Sequence, residues 1–295
     1  MKTLCKWALM LITVLPAMFF ASCNDDDDNN NNKPSNTPQI KEVYDKQGNL
    51  MLYEYDKKNR IKNVLLYDDG YNNQMEIGYN PLKLKRYRIY HTSDHTYKDD
   101  EQVLYDDHEL ARISDIKTDK NGNLTSCTAT KPYGVAKANL SYDSEGHLIK
   151  VFQEFSGDYT STDIAELTWV NGNMTHYTVS DEDGLYLESF VEYGTAVNIT
   201  GQATYGMALA FWGEVEYLSG VVGKLSKNLP KKLTKKYHVN AGETIVYTDI
   251  YNISYSFNDD ETIAEEYLEN KEKPFILGHN SDYVKRFEVY YEYTK

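Results

Sequence analysis

Three side chains in "YHTSDHTYKDDE", His91, Asp94 and His95, are of the types that ligate a transition metal. Two histidines four apart converge on one ion when they share a helix face. Here they fall in a strand end and a loop, where solvated histidines are the better reading. The chain has no G-x-S-x-G elbow, no H-E-x-x-H, no phosphate loop and no dinucleotide fingerprint. Asp and Glu number 45 in 295 residues, but a glycosidase pair is defined by separation in space, so none can be picked from sequence. No catalytic residue, metal site or cofactor is assigned, and an enzyme is the least favoured of three functional readings. The chemistry left is non-covalent. Trp169, Trp212, Tyr142 and Tyr177 could stack on the apolar C–H face of a pyranose, or pack across strands. Lys224, Lys227, Lys231, Lys232, Lys235 and Lys236 place six positive charges within 13 residues. Such a patch could dock on surface polysaccharide or lipid phosphate, or guard an exposed sheet edge.

The elements that must carry these residues are strands. Five segments share one pattern: "YDKQGNL" (44–50), "YDKKNRI" (55–61), "TDKNGNL" (118–124), "YDSEGHL" (142–148) and the shorter "WVNGNM" (169–174), with "FNDDETI" (257–263) a weaker copy. The aromatic ends a strand, and the Asp accepts a backbone N–H two residues on. Gly, or Asn59 in the second copy, takes positive φ and closes a hairpin. The flanks alternate with period two: Met51, Tyr53 and Tyr55 oppose Leu50, Leu52 and Glu54, and Ile149, Val151, Gln153 and Phe155 oppose Leu148, Lys150, Phe152 and Glu154. Tyrosine, at 27 against 9 Phe and 3 Trp, suits pleated, half-wet surfaces. The expectation is an all-β domain over 39–295, an antiparallel hairpin meander of fifteen or more strands forming a large curved sheet or barrel-like shell. One stretch departs from the pattern. Residues 204–220 have helical spacing, and a short helix there is expected to cap or fill the concave side.

The N-terminus reads as an address. Lys2 and Lys6 precede an apolar run from Trp7 to Phe20, too short to span a bilayer. Ala21, Ser22 and Cys23 follow, an order that resembles a bacterial lipobox. Residues 1–22 are then a cleaved signal, and Cys23 is the lipidated first residue of the mature chain. Two or three acyl chains would hold it in a membrane. Residues 23–38, with Asp25–Asp28 and Asn29–Asn32, form a solvated tether. Acids directly after the cysteine resemble the surface-export signal of Bacteroidetes lipoproteins, so an outer-membrane, surface-exposed location is favoured over a periplasm-facing one.

Losing Lys2 and Lys6 takes the formal charge from −14 to −16. Such acidity argues against nucleic-acid binding. Of three cysteines, Cys5 leaves with the signal, Cys23 carries lipid, and Cys127 remains as a lone buried hydrophobe.

With the YD-x-x-G-x-L hairpins, "GVVGKLSKNLP" (220–230) and the closing "YVKRFEVYYEY" in hand, the chain resembles the Bacteroidetes lipoproteins grouped as domain of unknown function 4595, described as porin-like. The resemblance implies a curved β meander or barrel-like shell and no established activity. Both strand faces carry charge, as in "RYRIYH" and "YDKKNRIKN", whereas a membrane barrel shows apolar residues to lipid at every second position. The fold is expected to be monomeric, water-facing and tethered. The favoured function is a surface binding module for glycan, lipid or a protein partner; the alternative is an accessory subunit of an outer-membrane complex.

Overall fold

The computed structural model describes residues 38–45, 49–58, 60–68, 71–79, 83–90, 109–131, 133–200, 223–240, 244–270 and 286–294. The helix expected over 204–220, Trp212, Cys23 and its tether, and His91–His95 lie outside them.

Sixteen strands form one closed antiparallel barrel. They are β1 (Ile40–Tyr44), β2 (Asn49–Tyr55), β3 (Ile61–Asp68), β4 (Tyr71–Gly78), β5 (Lys83–Tyr90), β6 (Glu109–Thr118), β7 (Leu124–Lys131) and β8 (Gly134–Tyr142), followed by β9 (Leu148–Gly157), β10 (Thr160–Val170), β11 (Asn173–Asp181), β12 (Gly184–Val197), β13 (Asn228–Asn240), β14 (Thr244–Phe257), β15 (Ile263–Asn270) and β16 (Arg286–Tyr293). Each strand pairs with its neighbours in sequence, and β1 pairs with β16 to close the ring. The Thr294 amide, donating to the Gln39 carbonyl at 2.9 Å, extends that closure past the strands. Every strand and the closing ladder lie within residues 40–293, so the wall needs nothing from residues 1–37.

Alternation explains the two faces. All sixteen strands contribute to one buried apolar cluster, among them Val43, Met51, Val64, Ala138, Leu187, Leu233 and Val289. The positions between them face water. Cross-strand ion pairs cover this outer face: Lys150–Glu166 at 3.0 Å, Lys232–Glu192 at 3.1 Å and Lys236–Glu188 at 3.2 Å. A lipid-facing wall needs an unbroken apolar band there, and these pairs interrupt it on β9, β10, β12 and β13. Cys127 is in the core, 3% exposed, and burial pushes its thiol up to about 12.

The period-two expectation holds on β2, where Met51 and Tyr53 are buried and Glu54 is exposed. On β9 it holds from Gln153 onward but not at the start. Leu148 is buried and Ile149 exposed, because the register shifts by one residue where Tyr142 meets Leu148. The lysine-rich segment is not an edge strand. β13 is hydrogen-bonded to β12 on one side and β14 on the other.

The antiparallel order gives the barrel two rims. Odd-numbered strands start, and even-numbered strands end, at the rim from which both chain termini leave, here the near rim. The connections β1–β2, β3–β4 and onward in twos lie at the far rim.

Candidate functional site

The repeated turns gather at the near rim. Of the six copies only 44–50 lies at the far rim; the other five connect strands at the near one. Asp119 Oδ1 accepts the Asn121 and Asn123 amides at 2.8 and 2.9 Å, and Asp143 Oδ1 accepts those of Glu145 and His147, both at 2.9 Å. Gly122 and Gly146 take φ of 85° and 88°. The residue after the glycine does a second job that sequence reading passed over. Arg60 Nε donates to Asp56 Oδ2 at 2.7 Å, Asn123 Nδ2 to Asp119 Oδ2 at 2.9 Å, and His147 Nδ1 lies 2.9 Å from Asp143 Oδ2. The signal was present: that position reads Asn, Arg, Asn and His in four copies, all side-chain donors. Burial raises the Asp143 carboxyl, but hydrogen bonds from His147 and the Glu145 amide outweigh it and hold Asp143 below the usual carboxylate range.

Aromatics near the ends of even-numbered strands, among them Tyr55, Tyr142 and Trp169 that open three of the motifs, tie strands together. At the near rim β1 and β2 are not joined by a turn, because their connection lies at the far rim. The Tyr55 hydroxyl donates across to the Ile40 carbonyl instead. Tyr79 does the same to Ile61 and Tyr142 to Leu124, the Trp169 indole N–H to Leu148 and Tyr193 to Met174, each at 2.7 Å, and Tyr255 to Pro230 at 2.9 Å. Tyr293 instead accepts the Ile263 amide at 3.1 Å. Among the described residues, turns and aromatic bonds thus alternate around this rim, the β5–β6 pair excepted, and form a hoop. Burial raises the phenols of Tyr79, Tyr142, Tyr193 and Tyr293, which keeps them neutral.

A strap crosses the hoop. Gly223 to Lys227 runs over the tips of two hairpins before entering β13. The Lys224 amide donates to the Gly146 carbonyl at 2.9 Å, and the Lys227 amide to Gly172 at 3.0 Å. Ser226 Oγ accepts the Met174 amide at 3.0 Å and lies 2.8 Å from the Tyr193 hydroxyl. Asn228 pairs with Asn173 through bonds of 2.9 and 3.1 Å. A Cβ on Gly223 would stand 2.3 Å from the Gly146 carbonyl oxygen. The motif "GKLSKNLP" therefore has a structural reason at nearly every position.

Trp169 and Tyr142 meet here. Trp169 stacks on His147 with centroids 4.4 Å apart, and Tyr142 lies under Gly223. Tyr177 is elsewhere, 3% exposed in the core. Lys224 and Lys227 stand exposed on the strap, whereas Lys231 and Lys232 sit at the start of β13 paired with Glu192 at 3.7 and 3.1 Å.

The far rim differs. Its described connections carry Asp45, Asp158, Asp181, Glu182 and Asp183. Asp163 lies within this acidic group on β10, opposite Gln153 of β9. Burial, then Asp181 and Glu182, pushes its carboxyl up to about 6. Beside the acids, Leu185, Ile245, Val246 and Tyr247 are exposed large apolar side chains. Residues 245–248 are exposed on both faces of β14.

Inside the wall, Tyr177, Ser189, Lys235 and Asp249 stand in direct register on β11 to β14, each 5% exposed or less. The row is buried, with Lys235 of β13 standing opposite Asp249 of β14. Among the described residues no group of three or more His, Cys, Asp or Glu could hold a metal.

Two solved structures match most of the chain. One is a porin-like protein from Bacteroides vulgatus ATCC 8482, 12% identical, with a TM-score of 0.49 over 87% of this chain and 99% of that one. The other is a porin-like protein from Bacteroides uniformis ATCC 8492, 13% identical, with a TM-score of 0.48 over 83% and 90%. No family model matches the chain, and no curated protein matches it.

Proposed function

We propose that this chain is a non-enzymatic binding module, held on the outer membrane through a lipidated Cys23, that engages a protein partner with its far rim. The resemblance to the lipoproteins of domain of unknown function 4595 supports the anchored reading. The observation that carries the binding reading is the start of β14. Ile245, Val246 and Tyr247 are 43, 46 and 38% exposed on adjacent positions of one strand. Exposed large apolar side chains gathered at one place mark protein interaction sites; here Ile245 and Tyr247 lie on one face of the strand end and Val246 on the other. An accessory subunit of a larger complex would use the same surface with a stoichiometric partner.

The test places a photo-crosslinking residue at Tyr247 in cells that make the full chain, with Glu166 on the side wall as the comparison. A discrete adduct at 247, absent at 166 and lost with Val246→Asp, is the expected result. Equal labelling at both positions, or none at 247, overturns the protein-partner reading. Glycan binding by the purified barrel that survives Val246→Asp would move the function to carbohydrate. Cys23→Ala is expected to release the chain from the membrane fraction, and retention there would remove the anchor.

A further inference from the structure

At the far rim β14 outruns its neighbour. Its ladder with β13 is unbroken from the Asn240–Thr244 pair to the Lys232–Asn252 pair. Its ladder with β15 begins only at Tyr251–Asn270. Residues 244–250 are therefore paired on one side, and among the described residues no strand lies on the other. The closing bond of the barrel fixes which groups face that open side. In an antiparallel ladder each residue sends its N–H and C=O to one neighbour, and the neighbour alternates along the strand. The Thr294 amide bonds the Gln39 carbonyl, so β16 turns its even-numbered residues to β1 and its odd-numbered residues to β15. Val289 stands opposite Glu266, and Glu269 opposite Asn252. β14 therefore turns its even-numbered residues toward β15. Past the end of β15, Val246, Thr248 and Ile250 present their N–H and C=O groups to the open side.

We infer that this edge accepts an added strand: an extended segment of the partner protein pairs with residues 244–250 in the place that β15 leaves open. It rests on the far-rim reading and adds how the partner is held. The overhang reads TIVYTDI. It has no lysine, no proline and no bulge against β13, the devices that ordinarily keep strand edges from pairing. Its seven residues span about 24 Å at about 3.4 Å each, room for a strand of ordinary length. Ile245, Val246, Tyr247 and Thr248 are exposed, so side chains of an added strand can pack on both faces. Main-chain bonds then supply affinity, and the alternating side chains supply specificity. The occupant is a partner and not a second copy. Two copies joined antiparallel through this edge would bring their far rims together. Asp158, Asp181, Glu182 and Asp183 lie on the next two tips along that rim, and like charges oppose the contact. The segment that fits is extended, rich in β-branched or aromatic residues and free of acids.

The first test needs no partner. Amide hydrogen exchange of the purified full chain, read residue by residue by NMR, should show Val246, Thr248 and Ile250 exchanging at least about tenfold faster than Tyr247 and Asp249, whose N–H groups face β13. Equal protection of the two sets overturns the open edge. The second test repeats the crosslink at position 247, in cells that make the full chain, with Thr248→Pro or Thr248→Ala. Proline at 248 removes an N–H that points to the open side and spares the bonds to β13. It should lower the adduct by about tenfold or more. Alanine keeps the backbone and should leave the adduct unchanged; an equal loss with alanine overturns the inference. An adduct that survives Thr248→Pro but is lost with Val246→Asp overturns strand addition and leaves the far-rim partner standing, whereas no adduct in the parent removes both. A dimer of the parent that Thr248→Pro dissolves also overturns it, because the edge would then serve a second copy. The exchange pattern of Thr248→Pro outside β14 checks the fold.

Discussion

The two rims of this barrel are built from the same strands, yet different forces hold them. At the near rim, carboxylates reach back to receive turn amides, aromatic donors link strands that no turn connects, and a strap is stitched across the tips. At the far rim, acids crowd together with Asp163 among them, and apolar side chains stand in water. Satisfied polar networks resist opening, whereas crowded like charges and exposed apolar groups cost stability unless something else gains from them. The contrast teaches where a partner would gain most: binding at the far rim would recover what folding leaves unsatisfied there.

The largest effect that would break this comparison is Gly223→Ala. The new Cβ meets the Gly146 carbonyl oxygen at 2.3 Å at a φ of +86°, and a cost of about 3–4 kcal/mol is expected from overpacking plus left-handed strain. Gly122→Ala, with a φ of +85° but nothing within 4 Å, should cost only about 1 kcal/mol. Urea midpoints of the two variants measure the strap's contribution, and equal losses would mean that the strap contributes little.

Acid should separate the rims next. Asp163 titrates near 6 in the fold against 3.8 in the open chain. Its favourable contribution is therefore complete below about pH 4 and is lost as pH rises through 6. Lowering pH from 7.5 to 5 should stabilise the barrel. Asp163→Asn should remove that slope and raise stability at pH 7 by about 1–2 kcal/mol. The near-rim carboxylate of Asp143 is lowered instead, so its contribution persists through this window and fades only as pH falls below about 4. Denaturation curves across pH 4 to 8 read both slopes, and a Asp163→Asn variant with the parental slope would contradict the assignment.

The smallest expected effect sharpens the account of the near rim. In the weaker turn copy, Glu261 stands where the others have glycine or asparagine, and it adopts a φ of 65°. Glu261→Gly should gain about 1 kcal/mol by relieving that strain. A loss on thermal or urea denaturation would show that the Glu261 side chain contributes more than the strain costs.

Much of this could be read from the residues alone. The motif dictated its own turn chemistry, so strand ends, the aspartate bonds and the glycine conformations followed from local rules. Alternation on β2 gave the right inner face because the register is unbroken from Met51 to Glu54, and β9 misled at Ile149 because a bulge falls there. The hoop escaped notice because a tyrosine hydroxyl and the carbonyl it reaches lie 15 to 25 residues apart, a long-range fact that no window of sequence contains. For the same reason Trp169 and Tyr142 could be read as sugar platforms when each already holds a backbone carbonyl. The exposed far-rim apolar side chains were hidden because Leu185 and Ile245 start strands that lie on either side of β13. Lys235, counted with a surface patch, proved to face inward opposite Asp249.

Both ends of the polypeptide leave by one rim, on strands that lie side by side. A pull on the N-terminal segment therefore runs along the axis of β1, with a ladder of hydrogen bonds on each flank. Those bonds lie across the pull and must yield together instead of peeling one after another. A barrel pulled between its N-terminal segment and its far rim would then carry the load through both ladders at once before it came apart.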